Sequence, residues 1–347
     1  MKKILAIIGA RPQFIKHFPF ERACRGKLDL ITIHTGQHYD ENMSSIFFDQ
    51  FGMQKPKYTF NHGGGSHGEQ TGKMMVDIEE IMLSEQPDGI VVYGDTNSTL
   101  AGALVAAKLH IPVYHIEAGL RSFNKAMPEE VNRILTDHVS SRLFVTSEIS
   151  ISNLKREGIK EGVFLVGDIM KDVVNTVIQD KHIADRRFNF PYFYATIHRP
   201  YNTDDPKRLD IIFERLENLS KKVVIALHPR TKKLCYDYDI KIDKYINLIF
   251  IEPQSYFENL SLLSYSDGLI TDSGGMQKEA YWLQRRCVTI RTETEWVETV
   301  ELGGNTLLFT DLSGLDDELI KIPEDWDKNL YGDGNAAVKI VDQILSC

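Results

Sequence analysis

The sequence has few cysteines, no excess of positive charge and no long apolar run. Its four cysteines, Cys24, Cys235, Cys287 and Cys347, are widely separated and form no Cys-x-x-Cys pair, so they favour neither a zinc site nor a disulfide framework. The net charge of −9 argues against a dedicated nucleic-acid binder, which usually carries a basic surface. No apolar stretch approaches the roughly 18–20 residues that a membrane helix needs. We therefore expect a protein of the reducing cytoplasm that binds neither nucleic acid nor a membrane.

The length and the hydrophobic pattern predict two α/β domains. The chain has 347 residues, enough for two domains at about 100–200 residues each. Hydrophobic residues make up 42% and charged residues 26%, as in globular proteins that bury large cores without metal or disulfide support. Short segments rich in Ile and Val alternate with helical patterns from end to end. This alternation predicts parallel sheets with helices on both faces.

The apolar segments predict strands in two successive sets. The first set comprises Ile4–Gly9, Leu28–His34, Gly89–Tyr93, Pro112–Ile116, Leu143–Thr146 and Val163–Val166. The second comprises Tyr192–Ile197, Lys222–Leu227, Leu248–Ile251, Gly268–Thr271 and Cys287–Ile290. Helices are predicted at Gly68–Leu83, Ser98–Leu109, Glu129–Val139, Ser147–Glu157, Pro206–Leu219, Tyr256–Ser264, Gly275–Leu283 and Asn335–Leu345.

The polar segment Asp180–Asn189 separates the two sets and predicts a linker. We expect two doubly wound domains, residues 1–170 and 171–334, with a cleft between them. The last segment, 335–347, is expected to form a helix that packs on either domain, the N-terminal one included. Ligands of such sheets bind beyond the carboxyl ends of the strands, so polar residues at those ends are the candidate functional residues.

A turn with a glycine follows the first predicted strand, in the segment Gly9–Lys16. Arg11 and Lys16 would lie near the N-terminus of the next helix, where backbone N–H groups attract anions. This placement predicts a phosphate contact. An ordinary first helix with both cations on its surface explains the same pattern equally well.

A Ser-Gly-Gly turn follows the strand predicted at Gly268–Thr271. Ser273 suits the N-cap of a helix, and Gly274 and Gly275 let a phosphate approach the backbone. Glu279 lies one to two turns into that helix, where acidic residues of nucleotide-binding folds contact the ribose. The combination favours a diphosphate site over the alternative, a capped helix with Glu279 in solvent.

Three carboxylates lie near the ends of neighbouring predicted strands. Asp95 and Glu117 each follow a strand, and Glu129 opens the next helix. Carboxylates gathered in a cleft have raised pKa values, which suits general acid–base catalysis. Taken alone, each carboxylate has a simpler structural explanation: Asp95 would brace a turn, and Glu129 is a common kind of acid in the first turn of a helix. His115 and His138 are nearby, but their spacing predicts no metal site.

Two strands of the second set end in a histidine with an arginine close behind. His198 with Arg199, and His228 with Arg230, would hold a diphosphate or protonate a leaving oxygen. One such histidine is usually a hydrogen-bonded structural residue, whereas two in succession favour binding. Arg291 follows a later strand and would reach the cleft, although its segment also fits an ordinary helix start.

Taken together, these segments resemble the bacterial UDP-N-acetylglucosamine 2-epimerase family, the non-hydrolysing type with two Rossmann-like domains in a GT-B-like arrangement. The resemblance covers nearly the whole chain and rests on motifs in family order: Gly9–Lys16, Thr35–His38, Gly94–Thr99, His115–Arg121, Pro128–Arg133, Ile197–Arg199, His228–Arg230, Asp272–Glu279 and Tyr331–Gly334. It implies reversible conversion of UDP-GlcNAc to UDP-ManNAc for surface polysaccharide synthesis. In that reaction UDP is eliminated to leave a 2-acetamidoglucal and is then added back. The resemblance also implies a homodimer and no external cofactor or metal.

The resemblance assigns roles to the matching positions of this sequence. Glu117 or Asp95 would remove the C2 proton, Glu129 would act on the other face of the sugar, and His198 would assist catalysis. The implied substrate contacts are Arg11, Lys16, Arg199, His228, Ser273, Gly274, Gly275, Glu279 and Arg291. Some family members bind a second UDP-GlcNAc as an activator, and Gln37, His38, Gln70 and His228 match parts of that pocket.

Departures from the family pattern leave the substrate open. Gln13 and Trp296 replace a Glu and an Arg of the best-known members, and Pro200–Tyr201 replaces an Ala-Glu pair. Gln13 and Trp296 are similar to the residues of the branch that acts on UDP-2,3-diacetamido-2,3-dideoxyglucuronate. However, that sugar has an extra carboxylate, and replacing the family's arginine with Trp296 argues against binding it. A hydrolysing epimerase that releases N-acetylmannosamine, a GT-B glycosyltransferase and a non-catalytic nucleotide-sugar sensor are the remaining alternatives.

Overall fold

The computed structural model describes residues 1–37, 48–323 and 325–346. It divides the chain into two compact units. The first contains Met1–Asn175 and Tyr331–Cys347, and the second contains Thr176–Leu330. The helix at Ile169–Gln179 runs across the point where the first unit gives way to the second.

Within the described ranges, the first unit is built on a seven-stranded parallel sheet with the strand order β3-β2-β1-β4-β5-β6-β7. Its strands are β1 (Lys3–Ile8), β2 (Asp29–His34), β3 (Tyr58–Thr59), β4 (Gly89–Tyr93), β5 (Val113–Ala118), β6 (Arg142–Val145) and β7 (Val163–Leu165). Its helices are α1 (Arg11–Cys24), α2 (His67–Glu85), α3 (Asn97–Lys108), α4 (Pro128–Val139), α5 (Glu148–Arg156), α6 (Ile169–Gln179) and α14 (Ala336–Leu345). The C-terminal helix α14 packs against α1.

The second unit repeats this design with six described parallel strands in the order β10-β9-β8-β11-β12-β13. They are β8 (Tyr192–Thr196), β9 (Lys222–Ala226), β10 (Leu248–Ile251), β11 (Leu269–Thr271), β12 (Cys287–Thr289) and β13 (Asn305–Leu307). The helices are α7 (Pro200–Thr203), α8 (Pro206–Glu217), α9 (Pro229–Asp237), α10 (Tyr256–Ser264), α11 (Gly274–Trp282), α12 (Val297–Glu301) and α13 (Leu315–Ile320), with a 3-10 turn at Ile242–Lys244.

Each sheet is covered on both faces, and its central strands β1 and β8 carry apolar side chains at nearly every position. In β8, Phe193 and Ala195 pack into the core on one face, whereas Tyr192 and Tyr194 pack into the core on the other. Successive side chains of a strand point to opposite faces, so a continuous apolar run serves both cores. The strand composition therefore accounts for the helix–sheet–helix layering of the unit.

The predicted fold class, two doubly wound α/β units, is confirmed. All the predicted strands are present with bounds that differ by at most two residues, and β3 and β13 are additional. One difference matters for the site: β5 extends to Ala118, so Glu117 lies within the strand rather than after it. No helix in the described ranges is long and apolar enough to cross a membrane.

Strand order reverses direction once in each sheet. In the first unit β1 lies between β2 and β4, and in the second β8 lies between β9 and β11. The loops after the two central strands leave in opposite directions at such a point and open a crevice at the carboxyl ends. The loops after β1 and β4, and those after β8 and β11, are therefore where polar residues gather.

Candidate active site

One buried amide joins the loops after β1 and β4. The Oε1 atom of Gln13 accepts hydrogen bonds from the backbone N–H groups of Gly9 at 2.8 Å and Ala10 at 3.1 Å. Its Nε2 atom donates to the carbonyl oxygen of Tyr93 at 2.9 Å. The amide thus holds the turn before α1 against the turn that carries Asp95. The sequence marked Gln13 only as a departure from a family pattern, because hydrogen bonds between distant loops leave no local signal.

Asp95 lies just beyond β4 and forms an ion pair with the guanidinium of Arg133 on α4. Burial raises the pKa of the Asp95 carboxyl above its usual value, although Arg133 and Lys16 oppose the shift; the charge of Glu117 adds to it. The other side of the Arg133 guanidinium donates to Glu130 Oε2 at 2.7 Å. Asp95 is therefore a carboxyl whose proton is held more tightly than in water.

Glu117 on β5 forms an ion pair with Lys16 on α1. Glu117 is only 8% exposed. Burial lowers the pKa of the Lys16 ammonium, but Glu117, Asp95 and Asp168 together outweigh burial, so the net pKa is raised. A Cβ atom on Gly94 would lie 3.3 Å from Glu117 Oε2, so the carboxylate packs over the backbone of the turn that precedes Asp95. The structure thus brings Asp95, Glu117 and Lys16 together.

The backbone of Glu117 is in a conformation that non-glycine residues seldom adopt. Its φ is +69°, and the pairing of β5 with β6 shifts register between Ile116 and Ala118. Such left-handed residues and bulges are costly and concentrate at functional sites, where surrounding contacts hold them. The bulge re-aims the Glu117 side chain toward Lys16.

Glu129 stands apart from these contacts. It is exposed in the first turn of α4. Its neighbour Glu130 is the residue that forms an ion pair with Arg133. Glu130 is fully buried, and its carboxylate accepts the backbone N–H groups of Ser122 at 3.0 Å and Phe123 at 2.9 Å. Glu130 and Arg133 are the members of the cluster that sequence reasoning missed. Both lie in the motif Pro128–Arg133, so their spacing of three residues on one helix was the available signal.

Two residues predicted for an activator pocket hold the first turn of α3. Gln37 Oε1 accepts from the backbone N–H of Ser98 at 2.9 Å and from its hydroxyl at 2.7 Å. Gln70 Oε1 accepts from Asn97 Nδ2 at 2.8 Å. His38 lies outside the described residues.

In the second unit, the buried carboxylate of Asp272 organises the loop after β8. It accepts the backbone N–H groups of His198 at 3.0 Å and Arg199 at 2.9 Å, and the side-chain amide of Asn202 at 3.1 Å. His198 Nδ1 lies 3.0 Å from Asp272 Oδ1. Burial raises the Asp272 pKa, but His198 and the donated hydrogen bonds outweigh it, so the net pKa is lowered. Asp272 joins β11 to the loop of the predicted His–Arg pair, a role the sequence did not reveal.

The predicted diphosphate turn forms the start of α11. Ser273 occupies the N-cap position, as predicted, although among the described residues its side chain makes no capping hydrogen bond. Its backbone N–H donates to the Thr271 hydroxyl at 2.9 Å instead, which orients the turn. A Cβ atom on Gly275 would meet no described atom within 4 Å, so the space over the start of this helix is open on the Gly275 side.

Side chains from the segment after β12 flank the other glycine of the turn. A Cβ atom on Gly274 would lie 3.8 Å from Arg291 Nη1, 3.8 Å from Trp296 Nε1 and 3.9 Å from Glu295 Oε2. Arg291 pairs with Glu295 at 3.1 Å. Burial lowers the Arg291 pKa, but Glu295, together with Tyr201 and Glu293, outweighs burial, so the net pKa is raised. A guanidinium and a helix N-terminus thus converge on one small volume, as anion binding requires.

The remaining predicted site residues, Arg11, Glu279 and His228, lie within helices or at their N-termini. Arg11 opens α1 and is partly exposed, and Glu279 is buried on α11. His228 is the N-cap of α9, where Nδ1 accepts the backbone N–H of Arg230 at 3.2 Å, and its ring centre lies 5.6 Å from that of His198. In the described part of the chain, no group of three His, Cys, Asp or Glu residues is placed to hold a metal ion.

Two doubly wound parallel sheets, each with polar loops gathered where its strand order reverses, define a two-domain α/β protein of the GT-B-like class. Comparison with known proteins narrows this class. A family model described as UDP-N-acetylglucosamine 2-epimerase matches residues 22–345. The chain therefore belongs to the UDP-N-acetylglucosamine 2-epimerase family, as the motifs predicted.

Individual relatives match over their whole length. A UDP-N-acetylglucosamine 2-epimerase homologue of Methanococcus maripaludis is 46% identical, with 98% of each chain covered. The UDP-2,3-diacetamido-2,3-dideoxy-D-glucuronate 2-epimerase of Pseudomonas aeruginosa is 45% identical, with 99% of each covered. The crystal structure of Methanocaldococcus jannaschii UDP-GlcNAc 2-epimerase with UDP-GlcNAc and UDP superposes with a TM-score of 0.90 at 42% identity, covering 99% of this chain and 100% of that one.

Proposed function

We propose that this chain reversibly inverts C2 of a UDP-N-acetyl-hexosamine, converting UDP-GlcNAc to UDP-ManNAc. The observation that carries the proposal is the pairing of Glu117 with Lys16 beside Asp95, in a chain that belongs to the 2-epimerase family. A pair of carboxyl groups with different surroundings suits a reaction that must both remove and deliver a proton.

The chemistry needs proton transfer and a stabilised leaving group. The C2–H bond is weakly acidic, so its proton leaves as the C1–O bond breaks and UDP departs with the bonding electrons. The product of this half-reaction is a 2-acetamidoglucal with a C1=C2 double bond. A proton then adds to C2 from the opposite face, and a diphosphate oxygen attacks C1. All atoms and electrons balance without an external oxidant or reductant.

The first unit would supply the proton-transfer groups. Glu117, charged in its pair with Lys16, is proposed as the base that removes the C2 proton, and Asp95, beside it and with a raised pKa, as a second proton-transfer group. Glu129 is proposed to act on the opposite face of the sugar. In the other direction the groups exchange tasks, as a reversible reaction demands.

The second unit would hold the nucleotide. The open start of α11 offers backbone N–H groups and a helix dipole to the diphosphate, and cations beside it would offset the charge that builds up as UDP leaves. The contacts proposed for the diphosphate in this unit are His198, Arg199, His228, Ser273, Gly274, Gly275 and Arg291, and Glu279 is proposed for the ribose. Arg11 of the first unit is proposed as a further diphosphate contact.

Proton NMR of the purified enzyme with UDP-GlcNAc in deuterated buffer tests this function. UDP-ManNAc carrying deuterium at C2 is the expected product, without added metal or nicotinamide. Free N-acetylmannosamine and UDP in place of UDP-ManNAc would instead show a hydrolase. Folded enzyme that binds UDP yet exchanges no C2 proton would overturn the proposal for this sugar.

Two observations favour a second substrate, UDP-2,3-diacetamido-2,3-dideoxyglucuronate. Gln13 and Trp296 depart from the best-known family pattern, and the Pseudomonas aeruginosa relative of that name is 45% identical. The same NMR experiment with this sugar, compared by kcat/KM with UDP-GlcNAc, decides between the two. A ratio above one for the diacetamido sugar assigns the chain to that branch.

We also propose a cytoplasmic homodimer that a second UDP-GlcNAc activates through Gln37 and Gln70. The three described cysteines are free and buried, which agrees with a reducing compartment. Light scattering of the purified protein tests the dimer. With UDP-ManNAc as the substrate of the reverse reaction, a hyperbolic rate curve that added UDP-GlcNAc does not raise would contradict the activation.

A further inference from the structure

The ring of His115 is buried between two oxygen acceptors, and the chemistry proposed above gives it no role. Its Nδ1 atom lies 2.7 Å from Asp137 Oδ1, and its Nε2 atom lies 2.8 Å from the carbonyl oxygen of Gly94. The side chain has no solvent exposure. A carbonyl oxygen only accepts hydrogen bonds, so Nε2 must carry a hydrogen.

The partner at Nδ1 is held as a carboxylate. Asp137 Oδ2 accepts the backbone N–H of Gly119 at 3.1 Å and pairs with Arg121 Nη1 at 2.7 Å. Both contacts, a donated backbone N–H and a guanidinium, stabilise the charged carboxylate over its protonated form. A carboxylate has no hydrogen to give, so Nδ1 must also donate.

We infer that His115 is a doubly protonated imidazolium and is a positioning residue for the turns that carry Asp95 and Glu117. The inference rests on the proposed function for its catalytic meaning and on hydrogen-bond chemistry for the protonation. One ring nitrogen holds the carbonyl of Gly94, directly before Asp95. The other holds Asp137, which in turn holds the N–H of Gly119, two residues beyond Glu117.

The strained backbone of Glu117 explains why such a brace is useful. A residue with φ of +69° relaxes to a commoner conformation unless contacts on both sides prevent it. His115 precedes Glu117 by two residues on β5, and Gly119 follows it by two. The brace therefore spans the strained residue and also fixes Gly94, over which the Glu117 carboxylate packs.

Another buried histidine of the same unit provides a matched control. His17 is also fully buried, but its Nδ1 lies 2.8 Å from the Tyr93 hydroxyl and its Nε2 lies 3.0 Å from the Thr32 hydroxyl. A hydroxyl can donate or accept, so a neutral ring satisfies both contacts. Burial accordingly lowers the pKa of His17 to about 3.

Nitrogen NMR of the ¹⁵N-labelled protein at pH 7 tests the protonation state without any need for activity. We expect His115 to show two slowly exchanging ring N–H protons, assigned by their loss in His115→Gln, and His17 to show one. A single ring N–H at His115 would overturn the inference. This readout stands even if the protein turns over a different sugar.

Kinetics of the variants test the positioning role. His115→Gln is expected to lower kcat by about 10- to 100-fold, as for a small misplacement of reacting groups, with UDP affinity unchanged. His17→Gln should leave kcat near that of the wild type. If His115→Gln does not fold, Asp137→Asn, which keeps the shape and removes the charge, should lower kcat and abolish the second ring proton. Wild-type kcat in whichever of these variants folds would contradict the positioning role.

Discussion

The ammonium nitrogen of Lys278 lies 3.5 Å from the centre of the Trp296 ring, and both side chains are buried. Lys278 is on α11, one turn beyond Gly274, and Trp296 is the N-cap of α12. Thr294, between Arg291 and Trp296, donates its hydroxyl hydrogen to Gln277 on α11 at 2.7 Å. The cation–π pair thus fixes the segment carrying Arg291 against the helix that opens the diphosphate turn.

This pair predicts the effect of restoring the arginine of the best-known relatives. In Trp296→Arg a second cation would face Lys278, so we expect the free energy of unfolding to fall by about 2 kcal/mol, the size of a desolvated cation–π contact. UDP affinity should fall with it, because Arg291 loses its support. Urea unfolding and calorimetric titration with UDP measure the two effects.

The matched variants separate charge from shape. Trp296→Phe keeps an aromatic face and should retain most of the stability. Adding Lys278→Glu to Trp296→Arg replaces the repulsion with an ion pair and should restore UDP binding. A Trp296→Arg protein as stable as the wild type would contradict the importance of the pair.

Removing either proposed proton-transfer carboxyl should abolish most turnover. Glu117→Gln and Asp95→Asn are each expected to lower kcat by at least about 100-fold, the lower range for a general acid or base, while UDP binding is kept. Glu148→Gln removes an exposed first-turn acid of α5 that has no part in the proposed chemistry, and it serves as the control. Near-normal turnover of both site variants in the NMR assay would refute the acid–base assignment.

Asp272 and His198 are expected to act as one unit. Asp272→Asn replaces one of the two oxygens that accept from the loop after β8 with an NH₂ donor, and it leaves His198 without its charged partner. We expect a reduction in kcat similar to that of His198→Gln. Because residues that act together have non-additive effects, the double variant should be little worse than either single one. Fully additive losses in this double-mutant cycle would show two independent roles.

A carboxyl on α6 predicts how stability depends on pH. Asp172 accepts the backbone N–H groups of Ala336 at 3.0 Å and Ala337 at 2.7 Å, which ties α14 to α6. Burial raises its pKa from 3.8 to about 6, with these hydrogen bonds opposing the shift. Because the folded pKa is the higher one, its stabilising contribution is complete below about pH 4 and is lost as the pH rises through about 6.

Urea unfolding between pH 4 and pH 7 checks this dependence. The wild type should lose stability relative to Asp172→Asn across that window, since asparagine carries no titrating group. The charges of Asp168 and Asp333 add to the raised pKa, so Asp333→Asn should flatten the wild-type profile in part. Parallel profiles for wild type and Asp172→Asn would refute the assignment.

The positions of the candidate residues show which parts of the site the local sequence predicts. The apolar runs of β1, β4 and β8 identify strands because burial on both faces leaves no room for polar residues. Polar residues at or near the carboxyl ends of β4, β5 and β8 point to Asp95, Glu117 and His198, because ligands of such sheets bind at those ends. The burial of Glu130, next to the predicted Glu129, was beyond such reasoning, because adjacent helical residues differ only in which one faces the protein interior.

By itself the sequence determined the secondary structure, the doubly wound class, the family and most of the residues at the strand ends, because these follow from local composition and from motifs in a fixed order. The tertiary structure alone decided which charges meet: Glu117 with Lys16, Asp95 with Arg133, and Asp272 with His198. These partners are between 38 and 101 residues apart in the chain, and only the packed sheet brings them within hydrogen-bonding distance. Pairing of this kind depends on three-dimensional proximity, to which no local pattern is sensitive.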